Sequence, residues 1–229
     1  MAKRVVIAID GPAGAGKSTV AKAVAERLGF IYINTGAMYR AVALWALQAS
    51  VGEDDHLKLE QLALQADIQF EPGVDHVFLN GDDVTSALCT SEVSAMASKV
   101  SAVPGVRRAL VDKQRELGAS TSVVMEGRDI GTVVFPDSQI KIFLDAPAAV
   151  RANRRTTELL SRGSNTSHDQ TARELAERDG RDRTRAEAPL VQAGDAVYID
   201  SGEMTAGEVV EAILKLVRGR TSNGKEYAR

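Results

Sequence analysis

The chain has 229 residues, a net charge of −3 at neutral pH, and hydrophobic and charged fractions of 44% and 26%. This length suits one α/β core with inserts rather than two full domains. The negative charge argues against coating of nucleic acid through bulk positive charge. Cys89 is the single cysteine, so no intramolecular disulfide can form, and the apolar run at residues 5–9 is too short for a signal peptide. We therefore expect a cytoplasmic protein.

Residues 11–18 fit the phosphate-binding pattern G-x-x-x-x-G-K-[ST]. A predicted strand at residues 5–9 precedes this P-loop, and a predicted helix at residues 21–28 follows it. Its glycines let consecutive N–H groups turn toward phosphate oxygens at the positive end of a helix dipole. The alternative is a glycine-rich turn that contains Lys-Ser by chance, and both flanks disfavour it. We predict that a nucleoside triphosphate binds through Gly11, Pro12, Ala13, Gly14, Ala15, Gly16, Lys17, Ser18 and Thr19.

Two side chains of the P-loop have specific predicted roles. The Lys17 ammonium is expected to reach the β- and γ-phosphates. The Ser18 hydroxyl is expected to bind Mg²⁺, which bridges the same phosphates. The sequence thus predicts a nucleoside triphosphate with bound Mg²⁺ at this loop.

Strands and helices alternate along the chain. Four more buried strands are predicted at residues 30–33, 122–125, 140–144 and 196–199. Helices are predicted at residues 37–48, 57–66, 92–102, 106–117, 147–160, 170–185 and 206–216. This pattern predicts an α/β fold of the P-loop NTPase type, with a five-stranded, mainly parallel sheet and helices on both faces. Ligands gather at the carboxyl ends of such strands, where Asp10, Asn34, Glu126 and Asp145 stand.

An insert lies between the second and third predicted core strands. About ninety residues separate them, far more than one crossover helix requires. Residues 67–70 and 76–79 alternate around the turn at Pro72-Gly73, and Asn80-Gly81 is a second hairpin signal. We expect a small antiparallel sheet within an α+β insert.

Arginines are concentrated between residues 151 and 185, where the chain has nine arginines, no lysines and six acidic residues. A guanidinium binds phosphate oxygens in pairs, which an ammonium does not do with the same geometry. On a helix, Arg178, Asp182 and Arg185 would share one side, and Arg151 and Arg155 are also four residues apart. The alternative is a solvated face with ion pairs. The P-loop favours arginines that stabilise a transferring phosphoryl group.

Three further segments carry candidate residues. Glycines bracket Arg128 and Asp129 after the third core strand, which indicates a ligand site or a tight turn with a local ion pair. Thr35 is the predicted N-cap of the helix whose second turn carries Arg40. The polar segment at residues 161–167 suits a mobile lid or an ordinary surface loop. Guanine-reading, metal-ligating and Ser-His-Asp patterns are missing from the sequence, and we expect its histidines at the surface: His56, His76 and His168.

With these segments and residues 177–190, the chain resembles the bacterial cytidylate kinases of the nucleoside monophosphate kinase family over about residues 4–218. Residues 127–137 and 178–183 are its narrowest signatures. The resemblance implies transfer of phosphate from ATP to CMP or dCMP. It also implies a division of the chain into segments. The core would comprise residues 1–34, 106–154 and 170–219, the monophosphate-binding region residues 35–105, the lid residues 155–169 and a flexible tail residues 220–229.

The resemblance also implies a role for each matching residue. Arg40 and Arg128 would hold the monophosphate, while Ser98, Arg107 and Asp129 would read the cytosine. Catalytic groups would be Lys17, Arg128, Arg155 and Arg185, and lid arginines would be Arg151, Arg154 and Arg155. Arg185 with Arg151 and Arg155 would close on the transferring phosphate, while Arg178 and Asp182 would face the sugar. The full set for the substrate would be Thr35, Arg40, Ser98, Arg107, Arg128, Asp129, Arg178, Asp182 and Arg185. Asn34 stands where the family has an acidic residue and Thr35 where serine is common, and both substitutions keep hydrogen-bonding capacity.

Two alternatives differ from this interpretation. Another P-loop kinase, for UMP, dTMP, shikimate or dephospho-coenzyme A, would keep the P-loop and lid arginines but would not need Ser98, Arg107 and Asp129 together. A nucleotide-switched NTPase could instead use the arginines on nucleic acid. It is disfavoured because aromatic residues make up only 4% of the chain and none interleave with the basic run at 173–185. We expect a monomer with small-molecule substrates and neither a nucleic-acid nor a membrane partner.

Overall fold

The computed structural model of the protein describes residues 4–71, 76–161 and 163–220. The chain divides into two compact units. Of the described residues, the smaller unit takes those within 1–4 and 31–123, and the larger unit those within 5–30 and 124–229.

The described residues contain eight strands and eight α-helices. The strands are β1 (Val6–Asp10), β2 (Ile31–Asn34), β3 (Ile68–Phe70), β4 (Val77–Leu79), β5 (Asp82–Asp83), β6 (Val123–Gly127), β7 (Ile140–Asp145) and β8 (Val197–Asp200). The helices are α1 (Lys17–Leu28), α2 (Thr35–Gln48), α3 (His56–Gln65), α4 (Ser91–Val100), α5 (Pro104–Ser120), α6 (Ala148–Ser161), α7 (His168–Thr184) and α8 (Ala206–Arg220). Of the helices in these ranges, none combines the length and the apolar character that a bilayer-spanning segment requires.

The main sheet has five strands in the order β2-β6-β1-β7-β8. Strand β1 pairs in parallel with β7, with Ile9 opposite Ile142, and β7 pairs in parallel with β8. Strands β1, β6 and β7 are buried over nearly their whole length, which explains why most of their residues are apolar without alternation. The predicted α/β fold with a five-stranded parallel sheet flanked by helices is confirmed.

Helices of the larger unit pack in two pairs, α1 against α8 and α6 against α7. Helix α1 ends at Gly29, whose left-handed backbone (φ 66) lets its N–H bond to the carbonyls of Ala25 and Glu26. A π-helical turn at residues 130–134 lies against β1. This turn follows the segment that carries Arg128 and Asp129, and it keeps that segment beside the start of the P-loop.

The smaller unit packs α2 against α4 and α3 against α5 around one apolar core. Strands β3, β4 and β5 form the expected antiparallel sheet, with Ile68 opposite Leu79. Asn80 and Gly81 have positive φ angles of 54 and 92, as an Asn-Gly hairpin turn requires. The predicted turn at Pro72-Gly73 lies outside the described residues.

The predicted N-cap of α2 is wrong by one residue. Asn34 has extended backbone angles, and its Oδ1 accepts a hydrogen bond from the Ala37 N–H at 3.1 Å. Thr35 is instead the first helical residue, and it is buried. Both side chains can cap a helix, so the end of β2 decides which of them takes the cap position. At the other end of the chain, α8 continues through Arg220, and the rest of the predicted tail lies outside the described residues.

The hydrogen bond from the Ala37 N–H to the Asn34 side chain leads to a prediction for the stability of two variants. Asn34→Ala should lower the free energy of unfolding by about 1 kcal/mol, because the Ala37 N–H loses its acceptor. Asn34→Asp should stay near the wild-type value, since a carboxylate oxygen can take the same position. Chemical denaturation of the three proteins measures the difference, and an equal loss in both variants would exclude the cap as its source.

Candidate active site

The P-loop occupies residues 11–16, between the end of β1 and the start of α1. Gly11, Gly14 and Gly16 have φ angles of 151, 77 and 88, which L side chains rarely adopt. Space also requires glycine at position 11, because a Cβ there would lie 1.9 Å from the Leu144 carbonyl oxygen. Gly16 is the N-cap of α1 and has no side chain to cover the first N–H groups of the helix. These groups can therefore bind an anion.

Lys17 is buried at the start of α1, with 6% of its surface exposed. Its Nζ donates a hydrogen bond to the Pro12 carbonyl oxygen at 2.7 Å, across the mouth of the loop. Burial, followed by the positive charge of Arg128, lowers the pKa of Lys17 to about 7. Phosphate oxygens would supply negative charge to this ammonium. Ser18 and Thr19, the next two residues, are exposed.

Asp10, at the end of β1, bonds to the π-helical turn at residues 130–134. The sequence assigned this residue no role beyond its position at a strand end. Its carboxylate accepts hydrogen bonds from the N–H groups of Ile130 at 2.8 Å and Gly131 at 2.7 Å. Burial raises the pKa of Asp10 to about 6, and the nearby Asp129 also raises it. The signal available in the sequence was an acidic residue at the end of a predicted buried strand, directly before the P-loop.

Two predicted arginines share the carboxylate of Asp182. Arg128 Nε donates to Asp182 Oδ2 at 2.9 Å, and Arg185 Nη1 lies 3.6 Å from Asp182 Oδ1. Burial opposes the charged form of Asp182, but the guanidinium of Arg128 and its neighbours Arg178 and Arg185 hold the pKa below its usual range. The acid stays ionised and fixes the separation of Arg128 and Arg185 before any ligand arrives.

The same cluster extends to Asp129. Arg185 Nη2 lies 3.8 Å from Asp129 Oδ1, and both residues are buried or nearly so. Arg178 contributes positive charge at both Asp182 and Lys17. The structure therefore brings five predicted residues into one charged cluster in the larger unit: Arg128, Asp129, Arg178, Asp182 and Arg185.

The three predicted lid arginines of α6 have different partners. Arg155 Nη1 pairs with Glu158 Oε2 at 2.8 Å on the same helix. Arg151 instead reaches the Ala13 carbonyl oxygen of the P-loop at 3.0 Å, and Arg154 donates to Ser201. Sequence spacing grouped Arg151 with Arg155, whereas the structure turns Arg151 and Arg154 toward the loop.

The remaining predicted substrate residues lie in the smaller unit. Arg107 on α5 is buried, its guanidinium carbon lies 5.7 Å from the centroid of the Tyr39 ring, and its Nη1 donates to the Ser101 carbonyl at 3.2 Å. Arg40 lies on α2 beside Gly36, Thr35 is buried at the start of that helix, and Ser98 lies half-buried on α4. Their substrate roles stay predictions.

Three comparisons place this chain among known proteins. The family profile described as cytidylate kinase matches residues 7–219. A protein named cytidylate kinase from Solibacter usitatus is 60% identical over 228 residues, which cover 99% of this chain and 97% of the relative. Another from Pelotomaculum thermopropionicum is 48% identical over 222 residues, 96% of each chain. A solved structure of an uncharacterised protein from Eubacterium ventriosum aligns with a TM-score of 0.54 at 14% identity, over 95% of this chain and 100% of that one, and supports the fold alone.

The lowered pKa of Lys17 predicts proton uptake on nucleotide binding. Phosphate charges favour the ammonium, so ATP binding should raise the pKa of Lys17 from about 7. At about pH 8 binding should take up nearly one proton, and above pH 7 affinity should fall by up to tenfold per pH unit. Calorimetric titration with ATP in buffers of different ionisation enthalpy measures the uptake. Lys17→Arg should take up none, because guanidinium stays charged. Equal uptake in both proteins would contradict the assignment to Lys17.

Proposed function

Because the chain belongs to the cytidylate kinase family, we propose that it transfers the γ-phosphoryl group of ATP to CMP or dCMP, giving ADP and CDP or dCDP. The observation that carries this proposal within the structure is the larger unit's combination of a P-loop, a buried Lys17 and an arginine cluster fixed by carboxylates. Phosphoryl transfer needs these parts, because both substrates bring negative charge to one point.

The P-loop is the proposed site of the ATP phosphates. Backbone N–H groups of the loop, the start of α1 and the ammonium of Lys17 would bind the β- and γ-phosphates. Within the described ranges, no group of three or more His, Cys, Asp or Glu side chains is arranged to hold a metal ion. Mg²⁺ would therefore depend on the exposed Ser18 hydroxyl and on oxygens of the nucleotide, a combination typical of magnesium sites for phosphates.

Charge neutralisation and positioning are the proposed source of catalysis. The acceptor is a phosphate oxygen, already anionic near neutral pH, so no general base is required. Arg128 and Arg185 are fixed by Asp182 before substrates bind, which reduces the reorganisation that the transition state requires. Arg128 would hold the monophosphate with Arg40, and Arg155 and Arg185 would contact the transferring group. Arg178 and Asp182 are proposed to face the sugar.

Recognition of cytosine is assigned to Ser98, Arg107 and Asp129. Cytosine presents an exocyclic amine donor together with ring nitrogen and carbonyl acceptors. Asp129 can accept from the amine, whereas Arg107 and Ser98 can donate to the acceptors. Uracil presents a carbonyl in place of the amine and would face the Asp129 carboxylate with a second acceptor.

The cellular setting is part of the same proposal. We place the enzyme in the cytoplasm as a monomer that acts on small molecules, with residues 155–169 as a lid and residues 35–105 as the monophosphate-binding region. A lone cysteine and an acidic net charge are compatible with this setting. Arg162 of the lid lies outside the described residues.

Acceptor-dependent release of ADP tests the reaction. The purified protein should turn over ATP with CMP and dCMP, and far less with UMP, dTMP, AMP, GMP or shikimate. Lys17→Ala should lower turnover by about two or more orders of magnitude, because the developing charge loses its nearest cation. Lys215→Ala, at an exposed lysine of α8, is the matched control. Strong turnover with another acceptor would support a kinase but refute the assignment of CMP and dCMP as its substrates.

Selectivity between bases tests Asp129. Asp129→Ala should lower the ratio of kcat/KM for CMP over UMP by about tenfold or more, because the mismatch with uracil disappears. In the same variant, binding of the phosphate group of the substrate should weaken less than the selectivity between the bases. Asp137→Ala removes an exposed acid in the same sequence signature and should leave the ratio unchanged. An unchanged ratio in Asp129→Ala would place base recognition elsewhere.

A further inference from the structure

Side chains from outside the P-loop hold two of its carbonyl groups. Arg151 Nη1 on α6 donates to the Ala13 carbonyl oxygen at 3.0 Å, and Ser201 Oγ, just after β8, lies 3.1 Å from the Ala15 carbonyl oxygen. Both donors are buried and far from the loop in sequence. Neither contact is required by the P-loop motif, whose pattern specifies only residues within the loop.

The Ala13 residue is held at both of its backbone groups. Asp179 on α7 accepts from the Ala13 N–H at 3.4 Å through Oδ1, and its Oδ2 pairs with Arg151 Nη1 at 2.5 Å. Arg151 Nε also donates to the Ala146 carbonyl at 3.0 Å. Arg151 and Asp179 are only 7% and 5% exposed, so the pair is screened little by solvent. The Nε and Nη1 donors of Arg151 are thus directed at protein groups.

The contact at Ala15 has a second layer of support. Arg154 Nη1 donates to Ser201 Oγ at 3.0 Å, and Arg154 Nη2 donates to the Ser201 carbonyl at 2.6 Å. Ser201 Oγ also lies 3.0 Å from the Asp145 carbonyl oxygen at the end of β7, so its single hydroxyl proton is shared between the Ala15 and Asp145 carbonyls. Arg151 and Arg154 are three residues apart, so one side of α6 serves both contacts.

Helix α6 also packs directly against the loop. A Cβ at Gly14 would lie 2.9 Å from the Arg151 carbonyl oxygen, closer than real side chains come. The Ala13 side chain packs with Ala152 of α6 and Leu175 of α7. Sterics and hydrogen bonds therefore fix the loop against the same helix turn.

Peptide planarity connects these carbonyls to the phosphate-binding groups. The carbonyl of Ala13 and the N–H of Gly14 belong to one planar trans peptide and point in opposite directions. A carbonyl held outward by Arg151 therefore directs the Gly14 N–H toward the inside of the loop. The Ala15 carbonyl, held by Ser201, does the same for the N–H of Gly16.

From this arrangement we infer that Arg151 and Arg154, supported by Asp179 and Ser201, are positioning residues that orient the P-loop amides toward the ATP phosphates and do not contact the transferring phosphate. This inference deepens the proposed function and rests on its ATP site. Arg155, one residue beyond Arg154, keeps the proposed role at the transferring phosphate.

Positioning and direct contact predict different kinetics. Arg151→Lys and Ser201→Ala should weaken ATP binding and raise KM for ATP by about tenfold or more, because misdirected amides bind the ground-state phosphates poorly. At saturating ATP, kcat should stay within about threefold of wild type, and KM for CMP should not change. Asn153→Ala, at an exposed residue of α6, is the control and should keep wild-type values.

Asp179→Asn should reproduce the effect of Arg151→Lys, and the double variant should lose less than the product of the single losses, since one interaction is removed twice. Amide ¹⁵N spectra without nucleotide add a readout independent of turnover. The Gly14 signal should shift in Arg151→Lys and the Gly16 signal in Ser201→Ala, with neither shifted in Asn153→Ala.

A large loss of kcat with unchanged ATP affinity in Arg151→Lys would overturn the inference, and so would unchanged Gly14 and Gly16 signals with normal ATP binding. Ser201→Ala removes a single oxygen and decides the question if Arg151→Lys does not fold.

Calorimetric ATP binding also separates this inference from the proposed function. A wild-type protein that binds ATP without phosphorylating CMP refutes the function, while the comparison of ATP affinities still tests the positioning residues.

Discussion

The buried ammonium of Lys17 is the constraint on which the rest of the larger unit depends. A cation at this depth is destabilised by lost hydration, and the neighbouring Arg128 and Arg178 oppose it further, so its pKa falls to about 7. Glu126 and Asp10 offset only part of this cost. A phosphate group would complete the balance of charge. The start of α1 therefore has an excess of positive charge that a bound anion would stabilise. This excess is the physical basis of a nucleotide site.

Carboxylates in the larger unit hold arginines in place, and the arginines around Asp182 keep the pKa of that carboxyl below its usual range. Asp182 separates Arg128 from Arg185, and Asp179 pairs with Arg151. Each acid accepts from a planar guanidinium whose direction is thereby fixed. Such preorganisation lowers the cost of stabilising charge that develops during phosphoryl transfer. It also divides the arginine-rich segment into one group around Asp182 and another directed at the P-loop backbone.

Sequence predictions were accurate where the signal came from residues close together in the chain, and they failed where it depended on distant residues. The P-loop, the parallel sheet and the Asn80-Gly81 turn depend on residues close in the chain, and the structure confirms them. The N-cap of α2 was wrong because Asn34 and Thr35 are both good caps, and the end of β2 chose between them. The contacts of Asp179 and Ser201 with the P-loop were missed because no local pattern indicates them, although Asp179 lies within the signature at residues 178–183. Their partners lie 166 and 186 residues away in the sequence.

By itself, the sequence determined the class of fold, the presence of a phosphate-binding loop and the family to which the chain belongs, because periodicity, glycine positions and short motifs are local properties. Tertiary structure alone decided which direction each arginine faces. Helical spacing grouped Arg151 with Arg155, yet Arg151 and Arg154 turn to the P-loop while Arg155 pairs with Glu158. A guanidinium on a long side chain can reach several partners, and its choice depends on which acids and carbonyls the fold brings beside it and buries with it.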